Sequence, residues 1–295
     1  MVGMIALRFL YMVGLFLCLD LRAAPVKIAC IGDSITEGAG LGNPSVESYP
    51  ARLQRLLGTN AVVRNYGVSG RTLLKEGDFP YWKEPFFKQS HDWQPDTVII
   101  QLGTNDSKPQ NWRYGTNFVS EYEQLVASYS SLTSGPRIFV CTPCPVYGSG
   151  AFTISPSIIA SNIAPQVRDM AKRLGLGLID LHTRMGVHSA WFPDTVHPNS
   201  KGMAAMAAVM YSALAGGAPA EEPPSAAIRQ VSTVRVEVSW PARWGGLVPQ
   251  FTTALKATNT IWTVVDSAIP YGDGAWIRQT NTSAGGPRFF RLFQP

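Results

Sequence analysis

Two kinds of pattern alternate along the first 215 residues. Short apolar runs, three of them closed by glycine or proline, alternate with longer stretches that carry apolar residues three and four apart. The runs at 26–31, 61–65, 97–102, 137–141 and 176–181 read as buried strands. Helical spacing falls at 49–57, 117–132, 158–174 and 202–214, with Gly175 as the stop of the third stretch. Strands alternating with helices predict an α/β domain over 25–217, built on a parallel sheet covered on both faces. In such sheets functional residues gather beyond the carboxyl ends of the strands. Here those ends carry Gly32, Asp33 and Ser34, then Gly67, then the stretch 103–106.

Beyond residue 215 the pattern changes. Residues 215–228 are rich in Gly, Pro, Ala and Glu without periodicity, and 218–228 read as a linker. Strict alternation then appears at 231–240, 261–265 and 275–280, and an apolar-aromatic run closes the chain at 289–293. Turn signals separate these runs, which predicts a small all-β sandwich module over 229–295. It has no His or Cys, so no catalysis is expected there. At the other end, Arg8 precedes an apolar run at 9–19, closed by Asp20 and Arg22 and followed by Ala23 and Ala24. Eleven apolar residues suit the core of an export signal better than a membrane span. Residues 1–24 are therefore expected to send the chain to a secreted or periplasmic location, with an uncleaved anchor as the alternative.

Composition narrows the function classes. With 45% apolar and 15% charged residues the chain can bury a large core. The formal charge of +5 lies mostly in 229–295, so it does not mark a nucleic-acid surface across the chain. Outside the leader only Cys30, Cys141 and Cys144 remain, and three cysteines make no disulfide framework. Cys141 and Cys144 form a C-x-x-C, read as small residues at a strand end, with a local disulfide left open and no redox context around it. Asp180-Leu181-His182 mimics a metallophosphoesterase motif, but in the wrong chain order. The glycines at 38, 40 and 42 lack the third glycine of a dinucleotide loop, because Asn43 stands there. His91, His182 and His188 show no ligand spacing and read as structural. No metal or cofactor is expected.

The strand ends together supply what acyl transfer to serine requires. A serine hydroxyl is a weak nucleophile until an imidazole takes its proton. Ser34 can be that serine, His197 the base, and Asp194 the carboxylate that orients the ring. The backbone N–H groups of Ser34 and Gly67 and the side-chain amide of Asn105 can hold the oxyanion. Asp33 and Asp106 read as structural neighbours of this site, and Glu37 as a lesser candidate for touching a sugar.

These four segments, in this order, resemble the SGNH hydrolases, also called GDSL-type esterases. The resemblance spans about residues 26–215. It implies a three-layer α/β/α, flavodoxin-like fold and ester hydrolysis without a cofactor. It also implies Ser34, His197 and Asp194 as the triad, and Ser34, Gly67 and Asn105 as the oxyanion hole. Residues 65–74 (NYGVSGRTLL), 77–82 (GDFPYW) and 102–112 (LGTNDSKPQNW) are similar to secreted bacterial sialate O-acetylesterases and acetylxylan esterases. Cys144 stands where that subgroup commonly has Pro. The expected substrate is thus a short acyl, foremost acetyl, ester on a small sugar or a polysaccharide. A lipid esterase or lysophospholipase of the same fold is one alternative, and a non-catalytic carbohydrate-binding protein is another. Trp82 and Trp112 are candidates for stacking on a sugar ring, and Arg71 for binding a substrate carboxylate. The positive β module is a candidate for contact with anionic polysaccharide or the cell envelope.

Overall fold

The computed structural model describes residues 24–186 and 188–214, together with seven strand segments between residues 227 and 293. The expected leader lies outside the described residues up to position 23, as do residues 218–226 of the expected linker.

Five parallel strands make the central sheet: β1 (Val26–Gly32), β2 (Ala61–Gly67), β3 (Thr97–Gln101), β4 (Arg137–Cys141) and β5 (Gly177–Ile179), in the order β2-β1-β3-β4-β5. The chain runs from β1 outward to β2, then crosses back to place β3 on the other side of β1. The crevice beyond the carboxyl ends of β1 and β3 is therefore the switch point at which open α/β sheets bind their ligands.

The helices follow from the same alternation. Helices α1 (Ser34–Glu37), α2 (Pro44–Glu47) and α3 (Tyr49–Leu57) connect β1 to β2, and α4 (Pro85–Asp92) precedes β3. Next come α5 (Pro109–Trp112) and α6 (Phe118–Ser130), then α7 (Pro156–Ile158) and α8 (Ala164–Leu174) before β5, and last α9 (Leu181–Met185) and α10 (Ser200–Leu214). Successive side chains of β1 point to opposite faces and enter separate cores. Ala29 and Ile31 join Phe118, Tyr122, Val167 and Met170. Ile28 and Cys30 join Tyr49, Leu53, Met203, Met206 and Met210. The sheet is thus covered on both faces, as its continuous apolar strands require.

Element ends differ from the sequence expectation for local reasons. Strand β2 runs two residues past 65, because Tyr66 and Gly67 keep register with Ile31 and Gly32. Strand β5 stops at Ile179, because Asp180 caps α9 through the Thr183 N–H. The stretch at 158–174 contains a π turn at Ile159–Ile163, where the Ala164 N–H reaches back to the Ile159 carbonyl. Pro165 follows; lacking an N–H, it cannot continue an ordinary ladder. Helix α4 was not expected, because its adjacent Phe86 and Phe87 do not display helical spacing.

Seven further strands are described: β6 (Ala227–Ser232), β7 (Arg235–Pro241), β8 (Val248–Thr252), β9 (Thr263–Val264), β10 (Tyr271–Gly272), β11 (Trp276–Thr282) and β12 (Phe289–Phe293). They pair antiparallel in the orders β10-β11-β7-β6 and β12-β8-β9. Strand β6 begins two residues before the expected boundary at 229.

Candidate active site

Ser34 opens α1 directly after β1. The Asp33 carboxylate caps that turn by accepting the Ile35 N–H at 2.9 Å. Across the switch-point crevice, His197 Nε2 lies 2.8 Å from Ser34 Oγ, and its Nδ1 lies 2.7 Å from Asp194 Oδ2. A carboxylate only accepts, so it selects the tautomer with the proton on Nδ1 and leaves Nε2 to receive the serine proton. Asp194 Oδ1 also accepts the N–H groups of His197 at 2.6 Å and Val196 at 3.0 Å. Partial burial pushes the Asp194 carboxyl up, but the His197 and Val196 bonds outweigh it and hold it below the usual carboxylate range. It is thus ionised wherever the imidazole can act as a base.

This compact arrangement requires an unusual backbone. Thr195, between Asp194 and Val196, has a left-handed φ of 74°. A second loop holds it: the Tyr147 N–H bonds the Thr195 carbonyl at 3.1 Å, and the Ala151 N–H bonds Thr195 Oγ1 at 3.1 Å. That loop is itself left-handed at Phe152 and Thr153, with φ of 55° and 60°. A left-handed residue with a β-carbon costs about 1–2 kcal/mol, so three such residues in the two loops that meet at Thr195 mark a strained locus.

Ser34 and His197 open into a cleft of about 210 Å³ that Thr104 and Asn105 also line. One Asn105 amide N–H bonds the Arg71 carbonyl at 3.1 Å, which leaves the second for a ligand. Ser69, Gly70 and Lys108 contribute further polar lining, and Ala39, Phe152, Ile154 and Val196 contribute the apolar part. Buried carboxylates stand behind it. Burial pushes Asp33 up to about 6 against the Ile35 N–H bond, and Asp106 up to about 7 against the Leu74 and Leu73 N–H bonds. Asp106 accepts those two N–H groups at 2.7 and 3.0 Å, and so ties the 69–74 loop to the end of β3.

Four sequence candidates are not brought to the cleft. Gly67 is the last residue of β2, and its N–H is taken by Asn65 Oδ1 at 2.9 Å. Gly70, three residues on, lines the cleft instead, with a left-handed φ of 81°. Trp82 donates its indole N–H to the Leu73 carbonyl at 2.7 Å and packs on Phe87. Trp112 packs on Phe118. Arg71 pairs with Glu84 at 2.7 Å and donates to the Ser69 carbonyl, so it braces the loop. Glu37 does reach the rim, where its carboxylate accepts the Ser69 hydroxyl. Sequence reading missed Gly70 because it ended β2 too early. It missed Phe152 because the 147–154 loop has no periodicity to place it.

The other expected bystanders sit apart from the cleft lining. His91 stacks on Tyr129 and His188 on Trp191, and the His182 N–H bonds Thr142 Oγ1. Cys30, Cys141 and Cys144 are free, buried thiols, and burial pushes all three up, away from thiolate chemistry.

Residues 30–205, more than half of the chain, match the GDSL-like lipase/acylhydrolase family. The chain belongs to that family. Among curated proteins it is 39% identical over 207 residues to an acetylxylan esterase of Xylanibacter ruminicola, an alignment covering 64% of this chain and 43% of the relative. It thus spans under half the length of that protein. Among solved structures, a carbohydrate acetylesterase family member from Sinorhizobium meliloti is 23% identical, with a TM-score of 0.53 over 64% of this chain and 97% of that one. The acetyl xylan esterase AlAXEase is 19% identical, with a TM-score of 0.52 over 64% of this chain and 100% of that one. At such identities these two likenesses speak for the GDSL-like fold of the domain and not for its substrate.

Proposed function

We propose that this chain is a serine esterase that removes short acyl groups, acetyl foremost, from a carbohydrate. The observation that carries the reading is the continuous hydrogen-bonded line from Ser34 Oγ through the His197 ring to Asp194. In the proposed reaction His197 takes the Ser34 proton as Oγ attacks the ester carbonyl. The N–H groups of Ser34 and Gly70 and the Asn105 amide hold the oxyanion. The tetrahedral intermediate collapses as His197 protonates the departing sugar hydroxyl. Water, activated by the same imidazole, then releases the acid and restores Ser34. The chemistry is complete with the chain's own side chains, so a chelator is expected to leave it unchanged.

The acyl preference draws support from the acetylxylan esterase relative and from the cleft. Its volume is below the roughly 300–1,000 Å³ of sites that enclose larger ligands, and its buried apolar wall is short, formed by Ile154 and Val196. Aryl esters of rising acyl length test the preference. Activity is expected to fall steeply after acetyl and propionyl; a maximum at eight or more carbons would transfer the reading to a lipid ester.

We further propose that 1–24 exports the enzyme and that 229–295 form a separate all-β module able to contact polysaccharide. The charge pattern of the leader supports the first, and N-terminal sequencing of protein recovered outside the cytoplasm checks it. The antiparallel pairing of β6 to β12 supports the second. Chain ending at Leu214 is expected to remain soluble and to keep wild-type kcat/KM on a small aryl acetate. Insoluble or inactive truncated protein would reject the domain division.

A further inference from the structure

Phe152 is 61% exposed, yet it lines the cleft that holds Ser34 and sets its ring against the edge of His197, 5.4 Å between centroids. Phe79 is the other phenylalanine exposed to that degree among the described residues, and it already lies under the Arg71 guanidinium. A bulky aromatic at left-handed φ is a conformational outlier that its surroundings must hold in place. Here the Ala151 N–H is anchored to Thr195, the Ile154 N–H bonds the Ala151 carbonyl at 3.0 Å, and the Ser155 N–H bonds Ser107 Oγ at 3.1 Å. Folding gains little from holding an apolar ring in water on a strained turn. The gain lies in what the ring meets.

Resting on the esterase reading above, we infer that Phe152 is the platform on which the sugar ring bearing the ester stacks. Ile154 and Val196 are buried and suit the acyl methyl, whereas Phe152 stands at the mouth, where the alcohol part must lie. Apart from Ala39 and Gly70, the rest of the rim is polar: the Ser69 hydroxyl with the Glu37 carboxylate, and Lys108. One flat apolar face among hydrogen-bonding groups fits a pyranose, which presents C–H groups on one face and hydroxyls at its edge. A long alkyl chain would need a continuous apolar trough.

The test compares ethyl acetate, which has no ring, with a fully acetylated methyl pyranoside. Phe152→Ala is expected to lower kcat/KM on the pyranoside by roughly 3- to 10-fold, mainly through KM. The loss on ethyl acetate should be at least about threefold smaller than that on the pyranoside, with an unchanged pH profile, and Phe152→Trp should retain the pyranoside activity. Phe152→Gly relieves the left-handed φ, so it should raise Tm while losing the same pyranoside activity. Equal losses on both esters would overturn the platform role and make Phe152 a support for His197. Unchanged activity on the pyranoside in Phe152→Ala, with ethyl acetate still cleaved, would overturn the platform alone. Wild-type protein that cleaves neither ester would overturn the esterase reading and the platform with it.

Discussion

Ser34→Ala is expected to lower kcat for a small acetyl ester by roughly 10⁴- to 10⁶-fold while leaving KM within a fewfold. The substitution removes the only atom proposed to bond the substrate covalently. Ser34 Oγ is held by His197 Nε2, and the alanine preserves the backbone N–H proposed as an oxyanion donor. Fold and melting temperature should therefore be unchanged. The residual rate comes from substrate binding and the oxyanion donors, which act without the nucleophile. His197→Ala should cost about as much, and combining the two should add little, because neither group works without the other. Asp194→Asn tests a separate point: an amide can donate as well as accept, so it no longer enforces the Nδ1 proton, and a loss of roughly 10⁴-fold follows. More than a tenth of wild-type kcat in Ser34→Ala would remove Ser34 as the nucleophile.

Gly67→Ala is expected to destabilise the domain by about 3 kcal/mol or more, at the upper end of core overpacking. A β-carbon there would lie 2.2 Å from the Glu37 backbone nitrogen and 2.7 Å from the Thr36 carbonyl carbon. Those atoms belong to α1, the four-residue helix that carries Ser34. Backbone cannot swing aside as a side chain can, so either β2 leaves its register with β1 or α1 shifts, and the Ser34–His197 bond opens in both cases. Melting temperature should fall by roughly 6–12 °C for a domain of this size. Gly70→Ala separates the packing role from the donor role. Nothing lies within 4 Å of a β-carbon at Gly70, but its φ of 81° disfavours one. That variant should lose about 1 kcal/mol of stability and a larger share of kcat. Gly67→Ala with a wild-type melting temperature and reduced kcat would reverse the two assignments.

Much of the domain was legible in the chain because its signals are local. Five apolar runs, three of them closed by glycine or proline, each fall on a strand of the central sheet. A buried parallel strand needs apolar side chains on both faces, and that requirement is written in consecutive positions. The groups proposed to react stand out in the chain for a related reason. Acyl transfer restricts the residue types that can serve, and a switch-point sheet restricts where they stand. Strand ends followed by Ser34 and by Asn105, with the Asp194-to-His197 turn further on, are short-range patterns even though Ser34 and His197 are 163 positions apart.

The substrate side of the cleft was not legible in the same way. Arg71, Trp82 and Trp112 have the chemistry of sugar-binding residues, but their partners lie elsewhere. Glu84 takes the guanidinium, the Leu73 carbonyl takes one indole N–H, and the Phe118 ring covers the other indole. Those partners stand 6 to 13 positions away, Leu73 in a loop, Glu84 just before α4 and Phe118 at the start of α6, so only packing selects them. Phe152 carries no motif at all; its position comes from a left-handed turn anchored to Thr195, 43 residues downstream.

By itself, then, the sequence determined the α/β alternation, the family, and the chain order of the proposed nucleophile, amide, carboxylate and imidazole, because periodicity and residue chemistry are properties of neighbouring positions. Only the tertiary structure decided that Gly70 rather than Gly67 reaches the cleft, and that Phe152 rather than a tryptophan stands at its mouth. Two more residues of β2 pair with β1 than the apolar pattern indicates, and that register, a contact between strands about 35 residues apart, moves the start of the following loop.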